Sequence, residues 1–322
     1  MTEMRAVQYD AYGPPEVLRV GRVPVPKMKL GHVLVKVAAS SVNAADVLVR
    51  SGKLRLLSGS AFPRGVGFDF AGSVVEVDAS EQRLYAGDQV WGFLNGLKQI
   101  PSGAAAEYVL APASAVACRP STIDAVSAAA LSGAAGAALG VLTKGVDLQQ
   151  GERVLVRGAG GGVGTAAVQI ARAMGGRVTA LIGANHVSAI RDLGAEAAYD
   201  YRTTDPRSLG KFDVILDPVA QNIRDYRRLL APDGRMVVMT LGGVGEAAYW
   251  LASAVFGKQR VRFVQSPPDH DLLAALTPLV DKRMVVPVVA GVHSMENAST
   301  AHLALKSRGV FGKHVIQVTS HQ

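Results

Sequence analysis

The sequence has a single cysteine, Cys118, in 322 residues. A lone thiol closes no intramolecular disulfide and cannot furnish a four-cysteine metal clip, which excludes a disulfide scaffold and a structural zinc ribbon. No histidine or cationic cluster lies beside it, so an inert thiol in a reducing compartment is expected, with the cytoplasm as the location. The seven histidines show no metal-ligand spacing either. Aromatic residues make up only 6% and charged residues 19%, with no basic run and no base-stacking cluster. The net charge of +8 is scattered along the chain, so no nucleic-acid partner is expected. The opening residues, Met1-Thr2-Glu3-Met4-Arg5-Ala6-Val7, contain no apolar signal core, and no secretory peptide is read there. One long uncharged stretch, 125–143, approaches membrane-spanning length. It is built mostly of Ala, Gly and Ser, which predicts a closely packed internal helix and no membrane association.

What is abundant is glycine, with 35 residues, alongside 15 prolines and 49% hydrophobic residues, a composition suited to an α/β enzyme. At about 150 residues per domain, the length predicts two domains. Residues 1–120 read as short β segments, among them 33–37, 72–77 and 87–92, punctuated by Gly and Pro. After residue 121 strands alternate with helices. Strands are predicted at 153–157, 177–182, 212–216, 235–240 and 261–265. Helices are predicted at 165–174, 186–193, 222–230, 246–256 and 269–282, the third stopped by Pro232-Asp233-Gly234. This alternation predicts βαβ units and a doubly wound parallel sheet. The tail, 285–322, returns to the β-rich texture with a helix at 296–307 and a strand at 314–318. The expected organisation is a discontinuous β-rich domain, 1–120 with 285–322, into which a nucleotide domain, 121–284, is inserted. A cleft between two such domains can enclose a ligand.

The strongest local signal is Gly158-Ala159-Gly160-Gly161-Gly162-Val163-Gly164, directly after a predicted strand and before a predicted helix. Glycines there allow a tight turn and let backbone N–H groups approach a pyrophosphate at the positive end of the helix. The spacing, Ala159-x-Gly161-x-x-Gly164, is one residue off the strict three-glycine form, and a structural turn without ligand is the alternative. An acidic residue that would bind the ribose hydroxyls is expected about 20 positions on. None stands in Leu181-Ile182-Gly183-Ala184-Asn185-His186. Its absence favours NADPH over NADH, with Gly183, Asn185, His186, Tyr201 and Arg202 as candidates for the 2′-phosphate end; ordinary surface positions are the alternative for the side chains.

Several ordered motifs together resemble the zinc-independent branch of the medium-chain dehydrogenase/reductase superfamily, which contains NADPH:quinone and enone reductases. They are Ser41-Val42-Asn43-Ala44-Ala45-Asp46, Gly67-Phe68-Asp69-Phe70-Ala71-Gly72, Gly87-Asp88-Gln89-Val90-Trp91-Gly92, Ala106-Glu107-Tyr108, the glycine loop, Asp192-Leu193-Gly194-Ala195-Glu196 and Asp200-Tyr201-Arg202. The resemblance runs nearly the whole chain. It implies a GroES-like β-rich substrate domain, a Rossmann domain and a homodimer formed through the edge of the Rossmann sheet, with 261–265 as edge strand. A monomer with an edge blunted by Arg260 and Arg262 is the alternative.

Zinc-dependent members of the superfamily carry a cysteine where Asn43 lies and a His-Glu pair where Phe68-Asp69 lies; both are missing here, so no catalytic metal is expected. The chemistry implied is hydride transfer from NADPH to a quinone or an α,β-unsaturated carbonyl, an acceptor activated by its own conjugation. Asn43 is the candidate to hold the nicotinamide and substrate region, or else an Asn that satisfies a turn. Asp46 is a second catalytic candidate, or a residue that orients the loop. Thr240, Leu241, Gly242, Phe311 and Lys313 are candidates to line the cofactor, with a solvated surface lysine as the alternative for Lys313. Many relatives have a tyrosine at the position of Leu48 and a threonine at that of Ala137, so neither a tyrosine proton donor nor that cofactor contact carries over. The apolar residues Leu54, Leu56, Leu57, Phe62, Phe93, Leu94, Tyr249 and Trp250 suggest a bulky, weakly polar substrate, unless they form core or dimer contacts. A nucleotide-binding protein with little catalysis, and a zinc-free alcohol or carbonyl reductase, are the other functional readings.

Overall fold

The computed structural model describes residues 2–97, 101–240, 242–255, 260–305, 307 and 309–319. The chain falls into two compact units. One comprises Met1–Gly136, Pro267–Lys282 and Pro287–Gln322; the other comprises Ala137–Ser266 and Arg283–Val286.

The first unit is organised around strand His32–Ser41, whose apolar run is buried along most of its length. The backbone N–H and C=O groups of a buried strand need partners on both edges. It pairs antiparallel with Asp69–Val77 on one side, and with Tyr108–Pro112 and Lys313–Gln317 along the other. The seven-stranded sheet continues through Gln89–Phe93 to Val116–Cys118 at one end and through Val289–Ser294 at the other. Gly72 marks the closest approach inside it: a Cβ there would stand 2.0 Å from the Lys36 carbonyl oxygen. A three-stranded sheet of Arg19–Pro24, Glu3–Tyr9 and Arg64–Gly65 completes the unit's β structure. Val7, Tyr9, Val35, Phe70, Val90 and Ile316 meet in its hydrophobic core. The carboxy-terminal strand Lys313–Gln317 therefore belongs to the same sheet as residues 32–41, joined by the pair Val315↔Ser41.

The second unit is a six-stranded parallel sheet in the order Ala197–Asp200, Arg177–Ile182, Arg153–Val156, Phe212–Asp217, Leu230–Val238, Val261–Phe263. Chain order reverses between Arg177–Ile182 and Phe212–Asp217, so the crevice beyond Arg153–Val156 is the topological switch point where doubly wound sheets bind ligands. The central strands carry the apolar runs 154–156 and 214–216, as a sheet covered on both faces requires. Val261–Phe263 is the edge strand, with Arg262 exposed.

Three elements depart from the sequence reading. Helix Gly162–Ala173 starts three residues before the expected 165, inside the glycine loop itself. The expected helix 222–230 is only Ile223–Arg227. Pro232-Asp233-Gly234 does not separate a helix from a strand but bulges out of strand Leu230–Val238. There the register on Phe212–Asp217 jumps from Phe212↔Leu230 to Val214↔Arg235. The texture boundaries at 121 and 284 also differ from the grouping by contact. Helix His270–Asp281 packs against Val116–Cys118, and the His270 Nδ1 lies 2.7 Å from the Val116 carbonyl oxygen. The uncharged stretch forms helix Ala125–Gly140 followed by the π-helical turn Val141–Gly145. It is long and apolar enough to cross a membrane by length and composition, yet most of it is buried inside the protein, as for a core helix.

Candidate functional site

Helix Ala44–Arg50 begins where strand His32–Ser41 ends, and Asn43 caps its start with extended backbone. Asp46, at the third helical position, turns back: its Oδ2 accepts the Asn43 N–H at 2.9 Å, and its Oδ1 accepts the Gly67 N–H at 2.7 Å. Asp46 is buried. Burial disfavours its charged form and, with a smaller push from Asp69, carries its pKa up to about 6 against the two N–H donors and the Lys313 charge. The turn into the helix is thus pinned by a carboxyl group that receives no solvent.

The Asn43 side chain lies between two charged residues. Its Nδ2 donates to Asp69 Oδ2, and Lys313 Nζ donates to its Oδ1 at 2.6 Å. Lys313 Nζ also donates to the Val42 carbonyl at 2.9 Å and stands 3.6 Å from Asp69 Oδ2. Asp69, with no exposed surface, further accepts from Ser41 Oγ at 2.7 Å, Ser132 Oγ at 3.3 Å and the Gly133 N–H at 2.5 Å. Lys313 is 5% exposed, so the solvated surface position that the sequence allowed is not the one the fold builds. The fold brings Asn43, Asp46 and Lys313 together. Asp69, Ser41, Ser132 and Gly133 join them without having been singled out as site residues, although Asp69 lies in a motif the sequence reading quoted. Its apolar setting, Phe68 before it and Phe70 after it, is the signal that a carboxylate there would be buried.

The glycine loop sits at the switch point of the second unit. Gly158 has φ +56°, the left-handed region. Gly164 is buried at the first turn of helix Gly162–Ala173, and a Cβ on it would stand 2.2 Å from the Gly158 carbonyl oxygen and 2.7 Å from the Ala159 Cα. Glycine at 164 is what lets the helix close on the strand. Around Gly161 the opposite holds: it is exposed, and a Cβ there would meet only the Gly158 oxygen, at 3.6 Å. The first intrahelical bond is Thr165 N–H to Gly161 at 2.8 Å, so the N–H groups of Gly162, Val163 and Gly164 precede the helix's own acceptors. Ala159 is fixed by donating to the Leu181 carbonyl at 3.0 Å, and Gly160 is buried beside it. These groups fit an anionic pyrophosphate.

Gly183, Asn185 and His186 follow strand Arg177–Ile182, with Asn185 exposed and His186 half-buried. Tyr201 N–H donates to the Ile182 carbonyl at 3.1 Å, which places Tyr201 and Arg202 next to that strand end. Arg202 Nε donates to Tyr201 Oη at 3.2 Å, and its guanidinium lies 5.4 Å from the Tyr201 ring. Thr240 is half-buried after strand Leu230–Val238. Gly242 has φ +66°, and a Cβ there would stand 2.6 Å from the Ala220 carbonyl. Leu241 lies outside the described residues. Phe311 is half-buried ahead of Gly312, whose φ is +97°.

A second buried charge pair supports the switch point and had no signal in the sequence beyond its strand ends. Arg157 Nη1 donates to Asp217 Oδ2 and, at 2.8 Å, to the Gln221 carbonyl, with its guanidinium 3.6 Å from the Tyr226 ring centre. Asp217 Oδ1 accepts the N–H groups of Val219 at 2.9 Å and Ala220 at 3.0 Å, which holds Ala220 at φ +51°. Burial pushes the Asp217 carboxyl up in pKa against the Arg157 charge.

The apolar residues expected to line a substrate pocket divide. Leu56 and Leu57 are exposed on the short helix Arg55–Ser58. Phe62 packs on Tyr9 and Tyr12, Phe93 stacks on Phe68, and Trp250 stacks on Phe263, so these serve packing within their own units.

Residues 29–121 match the family described as alcohol dehydrogenase GroES-like domain, and residues 193–316 the family described as zinc-binding dehydrogenase. The chain is 32% identical to the 2-methylene-furan-3-one reductase of Solanum lycopersicum, over 98% of this chain and 79% of that protein. It is 30% identical to the chloroplastic NADPH-dependent alkenal/one oxidoreductase of Arabidopsis thaliana, with the same coverage of both. Among solved structures, the quinone oxidoreductase from Coxiella burnetii matches with a TM-score of 0.88 at 27% identity, over 98% of this chain and 100% of that one. Motifs, fold and relatives agree, and the chain belongs to the medium-chain dehydrogenase/reductase superfamily, in its quinone and enone reductase-like branch.

Proposed function

We propose that this protein transfers hydride from NADPH to a quinone or an α,β-unsaturated carbonyl without a metal. The observation that carries the reading is the glycine loop at the switch point, where Gly164 approaches Gly158 too closely for any side chain and the first helical N–H groups are left for an anion. The names of the relatives, an alkenal/one oxidoreductase that uses NADPH, a furanone reductase and a quinone oxidoreductase, support the same class of acceptor. The absence of an acidic residue from 182–186 supports NADPH, since a carboxylate there would repel a 2′-phosphate, and Tyr201 with Arg202 stands beside that strand end.

NADPH, when bound, would supply a hydride for the β-carbon of an enone or for a quinone. A proton from water completes the reduction, because Leu48 offers no donor. Gly158, Ala159, Gly160, Gly161, Gly162, Val163 and Gly164 would hold the pyrophosphate, and Gly183, Asn185, His186 and Tyr201 the adenosine end. Thr240 and Gly242, after strand Leu230–Val238, would line the nicotinamide half. Asn43 acts at the reacting region, and Asp46 sets the Asn43 turn by accepting two N–H groups.

Zinc does not fit the residues present. Asn43 and Phe68 are not zinc ligands of the sulfur and imidazole type, Asp69 is already bound by five donors or charges, and the sole thiol is Cys118. Edge strand Val261–Phe263 suits pairing with a second copy, which makes a homodimer the proposed assembly. A single exposed cysteine suits the cytoplasm.

The test is fluorescence titration of the purified protein with NADPH and with NADH, followed by 1,4-benzoquinone or an enone. NADPH-selective binding followed by oxidation is expected. Tight binding with no turnover on any acceptor would establish the non-catalytic nucleotide-binding alternative, and failure to bind either nucleotide would remove the reductase reading altogether.

A further inference from the structure

We infer that Lys313 is a positioning residue for this reaction: its ammonium locks the Asn43 carboxamide in one orientation and neutralises Asp69 where water is excluded. The inference rests on the reductase reading for its catalytic part, while the coupling of Lys313 to Asp69 stands by itself.

The orientation of Asn43 follows from the charges on either side. With Oδ1 toward Lys313 Nζ at 2.6 Å and Nδ2 toward Asp69 Oδ2, every approach is attractive. Turned over, the amide would set its NH2 against an ammonium and its oxygen against a carboxylate. Both Nδ2 hydrogens are engaged inside the protein, one by Asp69 and one by the Ser41 carbonyl at 3.4 Å. Asn43 therefore has no hydrogen to give an oxygen that gains charge during reduction. It works through its place in the turn, and that place is set by Lys313.

The charge argument is independent of the amide. Asp69 is fully buried, and Asp46, buried as well, lies near enough for the two carboxylates to oppose each other. Lys313 is the cation that faces Asp69, and its charge also favours ionisation of Asp46. Removing one member of a buried pair leaves an uncompensated charge, whereas removing both is far less costly. The lysine reaches this position because Val315 pairs with Ser41 and the Val42 N–H donates to the His314 carbonyl at 2.9 Å, which lays residue 313 beside residue 43. Gly312 makes the approach possible: a Cβ there would stand 2.1 Å from the Val288 carbonyl.

The experiment compares Lys313→Met, Asp69→Asn and the double variant by urea denaturation, NADPH fluorescence titration and steady-state reduction of an enone. Lys313→Met is expected to lower the urea midpoint and to reduce kcat at least tenfold, with the enone KM and the NADPH Kd within threefold of wild type. The double variant is expected to regain most of the lost midpoint while kcat stays low, since Asn43 remains unlocked. Strictly additive midpoints would overturn the charge coupling. Recovery of kcat together with the midpoint would reduce Lys313 to a structural role, and a rise in NADPH Kd parallel to the loss of kcat would make it a direct cofactor contact. Should Lys313→Met fail to fold, the neutral double variant and Lys313→Arg carry the same comparison. If the wild type binds no NADPH, the reductase reading fails while the urea data still decide the coupling.

Discussion

Gly133 and Asp69 compete for one volume. A Cβ on Gly133 would stand 2.0 Å from Asp69 Oδ1, and the same oxygen accepts the Gly133 N–H at 2.5 Å. A carboxylate on a strand thus reaches into the middle of helix Ala125–Gly140, and only glycine leaves it room. Gly133→Ala should displace Asp69 from Asn43, Ser41 and Ser132 together. Overpacking combined with a displaced buried charge predicts a loss of about 3 kcal/mol or more. Equilibrium urea unfolding measures it, and a loss under about 1 kcal/mol would mean the helix yields without disturbing the carboxylate.

Asp46 sets a pH dependence of known sign. Its pKa is raised from 3.8 to about 6 by burial, so the folded state binds the proton more tightly than the unfolded chain. Its contribution to stability is greatest below about pH 4 and declines as pH rises to about 6, then stays constant. Asp46→Asn carries no such charge. The stability difference, variant minus wild type, should therefore move in the variant's favour between pH 4 and 7, by up to about 3 kcal/mol. Thermal unfolding of both proteins across that range checks it; a constant difference would show that Asp46 titrates normally.

Gly164→Ala should abolish the cradle while leaving the sheet. The added methyl would stand 2.2 Å from the Gly158 oxygen, so strand and helix must separate at the loop. The NADPH Kd is expected to rise more than a hundredfold with far-ultraviolet circular dichroism unchanged. Unaltered affinity would place the nucleotide elsewhere.

Arg202 discriminates between the two nicotinamide nucleotides if the 2′-phosphate lies by strand Arg177–Ile182. Arg202→Ala is expected to weaken NADPH about tenfold, about 1.4 kcal/mol, and leave NADH unchanged. Equal losses for both would assign the Arg202 side chain to holding Tyr201, whose Oη accepts its Nε–H at 3.2 Å.

Arg157→Met strands the Asp217 carboxylate, which has no surface exposure. A cost of about 3–5 kcal/mol is expected, with Asp217→Asn restoring part of it in the double variant. Differential scanning calorimetry decides this; little change in Tm would mean that the two N–H groups of Val219 and Ala220 suffice for Asp217.

Local signals were readable in the chain because local physics sets them. The left-handed turn at Gly158, the close approach at Gly164 and the continuous apolar run 154–156 follow from neighbours within a few residues, and the alternation of strands and helices follows from hydrophobic period. The bulge at Pro232-Asp233-Gly234 was misread as a separating turn for the same reason: those residues look alike in sequence whether a strand stops or detours around them. Asn43 and Asp46 were named one by one, through the resemblance; that they form a helix cap and its third helical residue, each holding the other, came from the fold.

Lys313 was named from the sequence as a cofactor candidate, but its partners were not legible, and its distance along the chain explains why. It meets Asn43 across 270 positions, through a strand pairing that no local pattern encodes. In sequence a lysine after Gly312 reads equally well as solvated or buried. The amino-acid sequence by itself determined the glycine cradle, the parallel sheet and the chain's lack of a thiol and imidazole set for a catalytic metal. Only the tertiary structure decided which charges share a water-free site, because desolvation turns the positions of Asp69, Asp46 and Lys313 into one electrostatic unit only when the sheet has closed around them.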